Sequence, residues 1–171
     1  MAKKNGSESK KKGPARVATP PTENWTDEPQ EHDYPAAASY LGLVCEQAQV
    51  QSLVRALKAA SLERHLAKDL LRASGLALLP VDNAHVASDL AKVTQDEKLS
   101  PVLLVRGDIG RGLPLTIADG YHRVCASYHL DENAAIPCHL VDRGREGGAA
   151  PGVRAGSSVS ARSPGGPVTV N

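Results

Sequence analysis

Two short apolar runs limit what this chain can fold into. Pro101–Gly107 (PVLLVRG) and Leu113–Ala118 (LPLTIA) are too short for helices and rich in branched residues, and Asp108–Gly112 between them is a turn sequence in which Gly110 and Gly112 permit positive backbone angles. Residues 101–118 therefore read as a β-hairpin. Its second strand runs into Asp119-Gly120-Tyr121-His122-Arg123, after which small and apolar residues recur at helical spacing as far as Leu130. A helix over about 121–130 and a last strand over Ala135–Val141 (AIPCHLV) complete the pattern.

The preceding residues read as helical. Ala36, Ala37, Tyr40, Leu41 and Leu43 suggest a short helix, and Val50, Leu53, Val54 and Leu57 form the stripe of a longer one. Ser61 is placed to cap a third helix, with Leu62, Leu66, Leu70 and Leu71 as its apolar stripe and Gly75 as its end. A turn around Pro80-Val81-Asp82-Asn83 leads to another helix start, and Lys92–Ser100 is polar. A helical block followed by strand, strand, helix and strand predicts a small α+β domain.

Composition bounds the rest. The 171 residues are 41% hydrophobic but 3% aromatic, with no Phe, so a core has to be built from Leu, Val, Ile and Ala. The net charge of +1 gives no overall drive towards nucleic acid or anionic lipid. The charge is uneven: residues 1–16 carry Lys3, Lys4, Lys10, Lys11, Lys12 and Arg16 against Glu8, whereas Glu23, Asp27, Glu28, Glu31 and Asp33 reverse the sign. Residues 1–34 and the Gly/Ala/Ser/Pro-rich residues 143–171 are expected to be disordered tails. Between them, 35–84 reads as a helical extension and 85–142 as the main domain. The basic start could contact nucleic acid or an acidic protein, or serve only as a solubilising tail. Cys45, Cys125 and Cys138 form neither a disulfide framework nor a zinc pattern, which suggests a reducing cytoplasm. No apolar run is long enough for a bilayer, and no apolar segment follows the basic start, so neither a membrane span nor a secretory signal is expected.

Asp119–Arg123 is the candidate site. Gly120 lets a ligand approach the backbone, and a helix starting near Tyr121 has N–H groups without intrahelical partners at its positive end. Arg123 could offer a bidentate fork and His122 another donor. Asp119 could cap the helix, orient His122, or bind a metal ion beside a phosphate. The plainer alternative is an ordinary Asp-Gly turn with Arg123 in solvent.

The order and spacing of these residues resemble the N-terminal domain of ParB partition proteins and the related sulfiredoxins. The likeness rests on Pro101 at a strand head, the strand Leu115–Ala118, the loop residues Gly120, His122 and Arg123, the small Ala126 in the helix, and Ile136-Pro137 before the last strand. It covers about residues 85–142, and the Asp-Gly-x-His-Arg form is most similar to ParB-like free serine kinases. The resemblance implies that fold and a phosphate loop formed by Asp119, Gly120, Tyr121, His122 and Arg123, with CTP or ATP and Mg2+ as the implied ligands. It also marks departures. ParB proteins have a Glu directly after the loop Gly, and sulfiredoxins have their catalytic Cys there; this chain has Tyr121, and Cys125 lies four residues further on. The Gly/Ser-rich residues 143–171 are not expected to form the helix-turn-helix segment that ParB needs for its DNA site.

Other residues have bland explanations beside functional ones. His65 and Asp69 are four apart on the expected helix and could share a site or simply hydrogen-bond. Asp82 and His85 flank a turn, while Lys98 and Ser100 precede a strand from which a phosphate could be reached. Cys125 and Cys138 are expected in the core. His129 and His139 have no companion at ligand spacing, so no metal site is expected. Three functions fit: a ParB-like nucleotide- or phosphate-binding module, acting as a switch or DNA-associated accessory factor; a small-molecule phosphotransferase; or a protein-interaction domain whose loop is structural.

Overall fold

A computed structural model describes residues 23–144. Apart from 23–34 and 143–144, the two expected tails lie outside the described residues. The elements are β1 (Asn24–Trp25), α1 (Asp33–Leu41), α2 (Gln47–Ala59), β2 (Leu62–Leu66), α3 (Ala67–Ser74), α4 (Ala84–Thr94), β3 (Lys98–Leu99), β4 (Val102–Val105), β5 (Thr116–Asp119), α5 (Tyr121–Leu130) and β6 (Ala135–Val141). The fold is α+β, as the sequence predicts.

Four strands form one sheet in the order β2-β6-β4-β5. The expected hairpin is present: β4 and β5 pair antiparallel, with an irregularity between Leu103 and Leu104. β6 runs parallel to β4 and antiparallel to β2. Strand alternation sends Val102 and Leu104 to one face and Leu103 and Val105 to the other. The first face packs on α3, α4 and α5 through Leu70, Val86 and Val124. The second packs on α1 and α2 through Ala37, Leu41, Val50, Leu53 and Leu57. A sheet covered on both faces needs apolar residues at successive positions, which explains why Val102–Val105 is buried throughout.

Two expectations need correction. Leu62–Leu66 is a strand, not the first turn of a helix, and Ser61 caps nothing. Leu62, Arg64 and Leu66 recur at period two as well as four, and the free edge of β6 takes the segment in five consecutive pairs from Leu62↔His139 to Leu66↔Ala135. α3 then starts at Ala67 without a side-chain cap, its first donors taken instead by the Ala134 and Glu132 carbonyls at 2.9 and 3.0 Å. The residues up to Ser74 are therefore not a helical extension, because β2 is part of the main sheet. Second, residues assigned to the N-terminal tail hold structure. Asn24 and Trp25 pair in parallel with Lys98 and Leu99, Trp25 packs on the first core, and α1 begins at Asp33. Gly75 does end α3, in the left-handed conformation.

Cys125 and Cys138 are fully buried in the first core. Burial raises both thiols, that of Cys138 to about 12. Since the thiolate is the reactive form, both should resist a thiol reagent in the native protein, while half-buried Cys45 labels first. Mass spectrometry of a labelling time course checks this; fast modification of Cys125 would contradict the described packing.

Candidate functional site

β5 ends at Asp119, and Gly120 turns the chain into α5 with φ 95° and ψ 17°. That is the left-handed region, where a side chain is strained. Space also demands glycine: a Cβ on Gly120 would lie 2.5 Å from Val102 Cγ1 and 3.2 Å from Arg123 Nε. The first intrahelical bond of α5 runs from the Val124 N–H to the Gly120 carbonyl at 3.0 Å, so the N–H groups of Tyr121, His122 and Arg123 have no acceptor within the helix. No side chain caps them.

The five residues of the sequence motif separate into different roles. Arg123 is turned inward, with its side chain 11% exposed. Its Nη1 donates to the Ser100 carbonyl at 2.8 Å and to Ser100 Oγ, and its Nη2 donates to Asp119 and, at 3.3 Å, to Asp33 Oδ1. The guanidinium thus links α5 to the end of β5, to Ser100 between β3 and β4, and to α1. It is neither solvated nor presented as a free fork, so the sequence expectation of a bidentate phosphate contact from Arg123 is replaced by an organising role. Asp119 holds that guanidinium and neither caps α5 nor bonds His122. The Tyr121 hydroxyl points away, donating to the Ala77 carbonyl.

His122 faces outward beside His85, with ring centroids 4.6 Å apart. Burial, reinforced by His85 and Arg123 against the opposing pull of Asp89, lowers its pKa. These two histidines, Ser88, Asp89 and Lys92 of α4, and the Gly120 turn surround a cavity of about 150 Å3. A second cavity, about 340 Å3, shares Asp89, Lys92, Asp119 and Arg123 with the first and extends to His32, Glu97 and Lys98. Lys92 bonds Asp89 at 2.8 Å.

The two carboxyls on Arg123 are unequal. Burial works to raise Asp33, but Arg123, the Ser100 hydroxyl and the Gln30 N–H together outweigh it and hold Asp33 below the usual range. Burial also raises Asp119; Arg123 opposes this, but the facing Asp33 adds to it, and Asp119 ends above the usual range. The shared proton therefore goes to Asp119 first.

Of the other candidates, His85, Lys98 and Ser100 come to this region, whereas exposed Asp82 lines neither of its cavities. His65 and Asp69 lie on β2 and α3, not on one helix, and each has its own partner: Glu63 at 3.3 Å and Arg72 at 2.8 Å. His129 and His139 bond the Leu79 and Leu57 carbonyls at 2.7 and 3.2 Å. Sequence reasoning missed Asp33, Asp89 and Lys92. Asp33 had one usable signal, an acid just before Tyr34-Pro35 and an Ala run, which is a helix start. Asp89 and Lys92 resemble any surface i,i+3 pair. No protein-family model, curated protein or solved structure matches the chain significantly.

Removing the guanidinium leaves buried Asp33 and half-buried Asp119 without their cation, so Arg123→Ala should cost about 3 kcal/mol in urea unfolding. The carboxyls should also leave opposite marks on stability against pH. Asp33, depressed in the fold, stabilises fully above its unfolded pKa of about 3.9 and loses that as pH falls through its folded value. Asp119, raised in the fold, stabilises fully below about 3.9 and loses that as pH rises through its folded value. Asp33→Asn should flatten the lower limb of the profile and Asp119→Asn the upper one; unchanged limbs would contradict this division of the proton.

Proposed function

We propose that this protein is a ParB-like nucleotide- or phosphate-binding module whose phosphate is received at the start of α5. One observation carries the reading: three uncapped N–H groups follow a left-handed glycine, and the cavity beside them is lined by Lys92, Ser88 and two histidines. Free N–H groups at the positive end of a helix attract an anion, and the ammonium of Lys92 adds charge. His122 contributes a ring N–H. Arg123 serves chiefly by fixing the β5–α5 corner, since its Nη1 and Nη2 donors are already engaged.

Size is consistent with this. At about 30 Å3 for a water-sized group, 150 Å3 has room for roughly five heavy atoms, the number in a phosphate group. By the same measure the adjoining cavity, with Lys98 on its wall, has room for roughly eleven more heavy atoms, a further part of a nucleotide such as CTP or ATP but not the whole of it. The residues do not fit a Mg2+ ion of the protein's own: Asp33 and Asp119 bond Arg123, and Asp89 bonds Lys92. A DNA-associated or regulatory role would draw on the basic residues 1–16, which lie outside the described residues, and it rests on their charge alone.

Calorimetry with inorganic phosphate, ADP, ATP and CTP tests the reading. Saturable binding is expected for at least one of them at millimolar ligand or below. Loss of one charge-assisted hydrogen bond weakens binding by about ten- to a hundredfold, the effect expected of Lys92→Ala. His122→Ala should weaken binding less. Absence of saturable binding to all four would leave Gly120 as a structural turn only.

A further inference from the structure

A separate groove of about 730 Å3 opens on the first face of the sheet, between α3 and the β4–β5 connection. Half-buried Leu140 forms its floor, beside fully buried Leu104, its neighbour in the parallel register of β4 and β6. Leu70 and Ala73 of α3 form one wall, and Leu113 and Leu115 the other. The Leu115 N–H donates to the Ala73 carbonyl at 3.0 Å and ties the walls together. Ile109, in the same connection, stands fully exposed at the rim. The apolar surface open to the groove comes from half-buried Leu113, Leu115 and Leu140 and from exposed Ala73 and Ile109.

The charges lie at the edge. Asp69 and Arg72 hold each other at 2.8 Å. Arg106 follows directly on β4 and lines the groove. Its Nε already donates to a carboxylate, that of Asp142, at 2.8 Å. Asp142 is 83% exposed, and an ion pair so open to water is weakly held. One carboxylate can therefore exchange for another on this guanidinium at little cost.

We propose that the groove binds a small apolar molecule bearing one carboxylate, with its chain along Leu113, Leu115 and Leu140 and its carboxylate on Arg106 in place of Asp142. The volume falls within the roughly 300–1,000 Å3 of small-molecule sites, and the lining has their character, an apolar bed with few polar groups. The planar fork of arginine suits a carboxylate better than a neutral head group. This inference is independent of the phosphate reading at Gly120, because the two sites share no residue.

The test is calorimetry of the full chain with hexanoate, octanoate and decanoate below their micelle concentrations, and with 1-octanol. Affinity should rise about fourfold per added methylene, the value of one buried CH2. Octanoate should bind about two- to fivefold more tightly than octanol, the worth of an exposed ion pair, and Arg106→Ala should erase that difference. Ala73→Trp fills the groove from α3 and Leu113→Trp fills it from the opposite wall; whichever retains the native circular dichroism spectrum should lose carboxylate binding. No saturable binding, equal affinity for octanol, or full binding in a folded groove-filling variant would each overturn the proposal. If residues 145–171 of the chain occupy the groove themselves, the full chain binds none of these molecules, and that result overturns it too.

Discussion

One guanidinium holds the layers of this protein together. Arg123 lies at the start of α5, and its donors reach Asp33 on α1, Asp119 at the end of β5, and Ser100 just before β4. α5 packs on one face of the sheet and α1 on the other, so the contact fastens both helical layers around the β5 edge. A guanidinium spreads its donors over separate nitrogens in a fixed plane and so reaches these three segments with several bonds, whereas a lysine ammonium carries its three donors on one nitrogen. Burial makes the arrangement all-or-none. Each charge is tolerable in the interior because the others are there, and losing one leaves the rest uncompensated.

That commitment shapes what the Gly120 corner can offer a ligand. A guanidinium already satisfied by carboxylates and a carbonyl has little left to give an anion. The Gly120 turn, a histidine pair, Ser88 and Lys92 line the cavity, together with Arg123 and the carboxyls of Asp89 and Asp119, and Lys92 is itself shared with Asp89. The proposed phosphate site is thus a rigid corner with modest charge, not a basic cleft. The groove over Leu104 and Leu140 has the opposite character, apolar with charge only at its edge. Between them lies the first core, built without a single Phe, in which Leu, Val, Ile, Ala and two cysteines fill the space between sheet and helices.

Local sequence fixed the elements that carry their own punctuation. The hairpin of Val102–Val105 and Thr116–Asp119, the helix Tyr121–Leu130 after Gly120, the last strand Ala135–Val141 and the stop at Gly75 were all legible, because runs of branched residues and glycines with positive φ specify them within a few positions. Leu62–Leu66 was misread because leucines four apart satisfy both periods, and nothing within five residues says which applies. The open edge of β6, over seventy residues later, decides it. Trp25 was missed for the same reason: a two-residue strand has no pattern of its own, and its partners are Lys98 and Leu99.

The candidate site divides along the same line. The sequence by itself determined that a strand stops at Asp119, that Gly120 must follow, and that a helix begins with His122 and Arg123 in its first turn, since these depend on neighbours along the chain. Only the tertiary structure decided that Arg123 faces inward to Asp33, ninety positions away, and that His85, Asp89 and Lys92 meet His122. Which way a long charged side chain turns depends on where buried partners of opposite charge come to lie, and the packing of separate segments sets that, not the residues beside it.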